Sequence, residues 1–246
     1  MISGYLFFVK MDKNFKWSRS FYKFKLSKKV KTLLVPYVLW SIFWFVFMFV
    51  LQILPVANKL FGQPLHSLPK NEIILNLFVY PLNYPFWFLR ELMVYMLVTP
   101  LIFVLIRKFN FLPILLLFGM SFYFRSMFSL GGVKIIQLIP FIYFCLGCYL
   151  GVKKINIEVK PKKETVILMV VLWIAFSIIT LLLSAYDTSF GISDQLIFII
   201  NCIGCIGAWF LYDLIFKKEN KVKSYYKYSF FVFAFHGIPM LFMRKI

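Results

Sequence analysis

The chain has 246 residues, is 62% hydrophobic and 21% aromatic, and is only 15% charged. A soluble domain is nearer half apolar and a quarter charged, so this composition excludes a soluble core and points to a polytopic membrane protein. The net charge of +19 would suggest nucleic acid in a soluble chain, but here the basic residues gather between apolar runs. That is a topology pattern, and no nucleic-acid partner is expected.

Residues 1–9 are an apolar stub, too short to span a hydrocarbon core about 30 Å thick. They read as the last turns of a helix whose start lies upstream. Residues 10–31 hold nine Lys or Arg and one acid, which marks a cytoplasmic segment. Residues 33–54 form the first complete span, with Pro36 and Tyr37 in its first turn, where a proline removes few helical hydrogen bonds. The segment 55–85 is punctuated by Pro55, Gly62, Pro64, Pro69 and Pro81. Within it, 70–80 reads as a short helix with Ile73, Ile74, Leu77 and Phe78 on one stripe, lying at the interface or dipping in against the bundle.

The second span is 86–106, closed by Arg107 and Lys108. A tight inner turn leads to a short third span, 111–124, ending at Arg125. Ser129, Leu130, Gly131 and Gly132 form an outer turn. The fourth span is 135–152, followed by a basic loop with Lys153, Lys154, Lys160, Lys162 and Lys163. The fifth is 165–184, and the loop after it, 185–195, carries Asp187 and Asp194 but no Lys or Arg. The sixth is 196–216, bounded by Lys217, Lys218, Lys221, Lys223 and Lys227. A seventh run covers 229–243. The inner segments hold nine, two, five and five basic residues, 21 of the 28, so alternate loops are basic. The fold expected is an all-α transmembrane bundle of about seven complete spans plus the amino-terminal partial helix. Residues 1–246 would form one membrane-embedded domain, with the 10–31 segment cytoplasmic.

The second span carries Arg90 and Glu91 side by side. A charge near the bilayer centre costs about 2.5–3.5 kcal/mol on insertion scales, so it must face protein or a wet cavity. Adjacent residues point about 100° apart on a helix, and a direct Arg90–Glu91 pair is not expected. Trp87, Arg90, Glu91 and Tyr95 share a broad face through i+3 and i+4 steps. They are read as a substrate-binding face: Arg90 for an anionic or hydroxyl-rich group, Glu91 for hydroxyls. The bland alternative is a structural ion pair with another helix.

Of the two histidines, His66 sits in the outer loop and reads as solvated. His236 lies in the last apolar run; it either lines a cavity as a base or is a hydrogen-bonded structural residue. Pro239 would loosen the helix beside it. Lys31, leading into the Pro36–Tyr37 helix start, is the best candidate among the basic residues for a phosphate-bearing ligand; lipid contact is the alternative. Two CxxC pairs, Cys145/Cys148 and Cys202/Cys205, lie in apolar runs with Gly147, Gly151, Gly204 and Ala208. Close helix packing explains them, and no metal is expected. Asn201 and Asp213 are further polar positions in the sixth span.

Three stretches carry a family resemblance. Met1-Ile2-Ser3-Gly4-Tyr5-Leu6-Phe7-Phe8 resembles the Ile-Ser-Gly-Phe/Tyr-Leu-Phe end of the second helix of the acyltransferase 3 family of integral-membrane O-acyltransferases. Lys28-Lys29-Val30-Lys31-Thr32-Leu33-Leu34-Val35-Pro36-Tyr37 is similar to that family's basic-Leu-Leu-x-Pro-Tyr start of its third helix. Phe86-Trp87-Phe88-Leu89-Arg90-Glu91-Leu92 is similar to its Leu-Trp-Phe-Leu-Arg-Asp-Leu motif. Weaker matches run from Ile139 to Gly147 and from Phe230 to Gly237. The resemblance implies transfer of an acyl group, expected to be acetyl, from acyl-CoA (acetyl-CoA) as donor co-substrate. The acceptor would be a sugar hydroxyl of a surface polysaccharide or lipid-linked glycan. It also places the family's catalytic histidine in a first helix upstream of residue 1, so that residue has no position here, and a further helix after the seventh run. On that reading the chain is truncated at both ends and has little activity alone. The competing class is a non-enzymatic membrane protein, a polysaccharide exporter subunit or scaffold, which would show paired broken helices or internal repeats.

Overall fold

The computed structural model describes residues 1–11, 18–53, 65–79, 81–83, 85–124, 126–130, 133–156, 161–186, 194–215 and 228–236. Gly131, Gly132, Lys160, Asp187, the Lys217 to Lys227 cluster and Pro239 lie outside them. Three helices are long and apolar enough to cross a membrane: 19–53, 163–182 and 197–215. A bent pair, Phe86–Leu97 and Thr99–Phe109, makes a fourth if it is one span. The expected seven complete crossings are not reached among the described residues.

The helices fall into two compact units, each described by itself. The first contains α1 (Ile2–Phe8). The second opens with α2 (Arg19–Lys29), which has no buried residue. It runs through a wide π-helical turn, Val30–Leu34, into α3 (Val35–Ile53). Pro36 is therefore interior to a 35-residue helical run, not at its start. The π turn is the physical reason. Proline lacks an N–H and crowds the preceding turn, and a widened turn, with Val35 N–H reaching the Val30 carbonyl, accommodates it.

The buried face of α3 carries Tyr37, Ser41, Trp44, Met48 and Gln52, while Leu39, Ile42, Val46, Val50 and Ile53 are exposed. That is inside-out for a soluble protein and right for a helix whose outer face meets lipid. A 3₁₀ turn, Leu65–Ser67, is pinned by Leu65 N–H donating to Gln52 Oε1 at 2.6 Å. Next comes α4 (Lys70–Phe78), the short helix expected over 70–80; Ile74 and Phe78 are exposed while Ile73 and Leu77 are half-buried.

The run 86–106 is not one helix. It breaks at Val98 into α5 (Phe86–Leu97) and α6 (Thr99–Phe109), bent by 61°. Pro100 cannot donate to the Met96 carbonyl one turn back; the Thr99 hydroxyl does so instead, at 2.7 Å. Asn110, at φ 57°, ends α6, in a conformation asparagine tolerates.

In the first unit, α7 (Leu112–Met120) is only nine residues, about 14 Å long at 1.5 Å per residue. In the second unit, β1 (Ser126–Leu130) and β2 (Val133–Gln137) pair antiparallel, with Ser126 opposite Gln137 and Leu130 opposite Val133. This hairpin departs from the all-α expectation. Three of its second strand's five residues, Val133, Ile135 and Ile136, are β-branched and favour a strand. The fourth predicted span consequently shortens to α8 (Leu138–Val152), 15 residues.

Back in the first unit, α8 packs tightly on α1. A Cβ placed on Gly4 would lie 2.3 Å from the Phe144 carbonyl oxygen, and one on Gly151 would lie 2.8 Å from that of Tyr5. The small-residue reading of Gly147 and Gly151 therefore holds, with α1 as the partner. Lys154 turns back to donate to the Phe8 carbonyl at 3.4 Å and to Val9, covering the negative end of α1. The remaining long helices, α9 (Lys163–Tyr186) and α10 (Asp194–Ile215), pack together, with Trp173 lying over Gly204. Most of the apolar surface of α9 is exposed, as suits a helix that faces lipid. Asn201 and Asp213 on α10 are exposed. The second unit closes with α11 (Ser229–Phe235).

Candidate functional site

The polar interior of the second unit is assembled where α3, α4, α5 and β2 meet. It begins at the carboxyl end of α4, whose last carbonyls have no partner within the helix. The Tyr37 hydroxyl donates to the Phe78 carbonyl at 2.9 Å. Next to it, Arg90 Nη1 donates to the Val79 carbonyl. Two helices thus hold adjacent carbonyls of a third. The guanidinium sits at the negative end of the α4 dipole, where a cation is favoured.

On the other side of Arg90 lies Glu91, which is 0% exposed, against 8% for Arg90. The Tyr95 hydroxyl, one helical turn along, donates to Glu91 Oε2. Gln137, at the end of β2, donates from Nε2 to Glu91 Oε1 at 2.9 Å. The same Oε1 is 3.8 Å from Arg90 Nη2. Adjacent positions on a helix do not face each other, yet the arginine side chain is long enough to curl back. The expectation that these neighbours do not pair is therefore corrected. A buried carboxylate persists only when paired and hydrogen-bonded, and Glu91 is both. The result is one chain of contacts from the Val79 carbonyl through Arg90, Glu91 and Gln137, with Tyr95 on its flank.

Of the predicted face, Arg90, Glu91 and Tyr95 are brought together. Trp87 is half-buried and sits edge-on to Phe88 at 6.1 Å. Lys31 is exposed on the π turn. His66 is exposed in its 3₁₀ turn, as its loop position anticipates.

His236 is half-buried just past the end of α11. Its Nδ1 is 2.6 Å from the Phe233 carbonyl. A carbonyl only accepts, so Nδ1 is the donor and Nε2 of the neutral ring is left as an acceptor. The Phe233 ring lies parallel to Phe86 at 6.3 Å, and Phe86 is one turn before Arg90 on α5. Asn83, just before α5, donates to the Ala234 carbonyl at 2.7 Å and ties α11 to the same wall. His236 therefore stands one aromatic layer from the helix that carries Arg90 and Glu91.

Sequence reasoning missed Gln137, Asn83, Ser41, Trp44 and Gln52. The α3 set was visible as a repeat: positions 37, 41, 44 and 52 bring a polar group to one face of an apolar run. The Trp44 indole N–H is buried with no hydrogen-bond partner among the described residues. Gln137 had a weaker signal, a lone amide at the edge of an apolar stretch. Nothing local indicates that it meets Glu91, 46 residues away.

Chemically, the assembly offers a desolvated guanidinium held in one orientation and a fully engaged carboxylate, and α11, stacked on the same helix through Phe233 and Phe86, carries an imidazole with a proton-accepting nitrogen. These are groups that bind and deprotonate hydroxyls. A curated relative, the succinoglycan biosynthesis protein ExoH of Rhizobium meliloti (strain 1021), is 25% identical over 245 residues. The alignment covers 98% of this chain and 63% of that protein, so the chain spans less than two thirds of its relative's length. No solved structure matches. The model of the acyltransferase 3 family, described as an acyltransferase domain, matches residues 1–246, and the chain belongs to that family.

Proposed function

We propose that this membrane protein takes part in O-acylation of a polysaccharide or its lipid-linked precursor, moving an acyl group, acetyl in the simplest case, from acyl-CoA to a sugar hydroxyl. The observation that carries the reading is the buried Arg90, fixed between the Val79 carbonyl and Glu91 inside an apolar unit. Family membership and a relative named for succinoglycan biosynthesis support the acyl-transfer and glycan parts. In the reaction, the acceptor oxygen attacks the thioester carbonyl carbon, the C–S bond breaks, and the hydroxyl proton passes to a base. Arg90 orients the acceptor, Glu91 and Tyr95 hold Arg90, and Trp87 borders the approach. The Nε2 of His236 takes the proton. Lys31, exposed on the π turn, meets the phosphates of the CoA donor. The site lies in a bacterial inner membrane with the 10–31 segment cytoplasmic.

The test is made in source cells. Deleting the gene should remove ester-linked acyl groups from the polysaccharide, read by proton NMR, and wild-type but not Arg90→Ala complementation should restore them. Unchanged acyl content in the deletion strain would sink the proposal. A second reading, a polysaccharide exporter subunit, is favoured by the 61° break between α5 and α6, since broken helices line transport sites. It predicts normal acylation of whatever polymer is made, with less polymer outside the cell.

A further inference from the structure

We infer that Gln137 is a positioning residue and that the β1–β2 hairpin is the element that presents it. Three observations carry this. Its side-chain amide donates to Glu91 Oε1 at 2.9 Å. Its main-chain carbonyl lies 3.4 Å from the Tyr95 hydroxyl, the other donor to that carboxylate. Glu91 is 0% exposed, so no water can replace either contact from bulk. One residue thus touches both Glu91 and Tyr95, the two members of the hydrogen bond on the far side of the carboxylate from Arg90. The hairpin fixes where the strand ends, because Gln137 is paired to Ser126 across the ladder.

The consequence is specific. Gln137 holds the Glu91 carboxylate in the plane that receives Arg90 Nη2, and so sets the direction in which the guanidinium meets a ligand. This deepens the proposed function and rests on Arg90 as the acceptor-binding group. The experiment separates the two. Protein labelled with ¹³C-carboxyl glutamate is purified as wild type, Gln137→Met and Ile136→Val, and the Glu91 band is isolated by infrared difference against Glu91→Gln. The band should shift in Gln137→Met and stay in place in Ile136→Val. An unmoved band in Gln137→Met would overturn the positioning role whatever the protein catalyses. Should Gln137→Met not fold, Gln137→Asn keeps the amide one methylene short, and the same band decides. With acyl transfer established, Gln137→Met should raise the acceptor KM about tenfold, with kcat changed less than about twofold. A fall in kcat at constant acceptor KM would also overturn it. A shifted band in a protein that acylates nothing leaves Gln137 as a positioning residue and removes only the acyl-transfer reading.

Discussion

The Tyr22 hydroxyl donates to the Leu97 carbonyl at 3.0 Å, and Leu97 is the last residue of α5, at the point where the chain bends 61° into α6. A basic helix with no buried side chain thereby satisfies a carbonyl that the break leaves open. Losing such a bond costs about 1 kcal/mol. Tyr22→Phe should lower the melting temperature in detergent by about 2–4 °C. An unchanged melt would mean the break stands without α2.

Thr99 supports the same break from inside. It is 0% exposed, and its hydroxyl takes the Met96 carbonyl that Pro100 cannot serve. Thr99→Val conserves shape but removes one of two donors to that carbonyl, the Val98 N–H being the other, at about 1 kcal/mol. Thr99→Ser should be close to wild type. Equal melting of the Val and Ser variants would refute the role of the hydroxyl.

How far these features were legible depends on what lipid does to a pattern. The long spans α3, α9 and α10 and the short helix α4 could be read from apolar runs and flanking charge. The break at Val98 could not, because positions on both sides are equally apolar whether they meet lipid or protein. Pro100 was visible, but a proline in a membrane run does not say whether the helix kinks or stops. Arg90, Glu91 and Tyr95 stood out because intramembrane charge is rare. Gln137 and Asn83 did not, since their partners are distant in sequence and a neutral amide in an apolar run is cheap enough to pass unnoticed.

The α1–α8 contact makes a prediction that does not depend on function. Cys148 is 0% exposed, and a Cβ on Gly4 would lie 3.0 Å from its sulfur and 2.3 Å from the Phe144 oxygen. The second clash is with backbone, so the helices must separate. In a Cys202→Ser/Cys205→Ser background, Gly4→Val should make Cys148 react with N-ethylmaleimide, while the parent stays unlabelled. Unlabelled Cys148 in Gly4→Val would mean that the helices do not pack through this glycine.

Arg90 and Glu91 should show strong coupling. Removing one member of a buried pair costs about 3–5 kcal/mol because the other charge is left behind. Arg90→Met alone should therefore be the most destabilising of the set. Arg90→Met with Glu91→Gln should recover part of the loss, since the glutamine is neutral and still offers an oxygen to Tyr95. A double-mutant cycle on thermal stability reads the interaction directly. Additive losses would show that the 3.8 Å contact contributes nothing.

His236 distinguishes a catalytic from a structural imidazole by which nitrogen is retained. Its Nδ1 donates to the Phe233 carbonyl, so the fold uses that edge of the ring. Asparagine places an amide N–H near the position of Nδ1 and nothing at Nε2. If the ring only caps α11, His236→Asn should leave both stability and polysaccharide acylation near wild type. If Nε2 accepts the acceptor's proton, His236→Asn should fold normally and lose acylation by about 10²–10⁴-fold, the range a general base contributes. His236→Ala should lose both the cap and the base. Full acylation in His236→Asn would remove the histidine from the reaction, leaving α11 as a wall held by Asn83 and the Phe86–Phe233 stack.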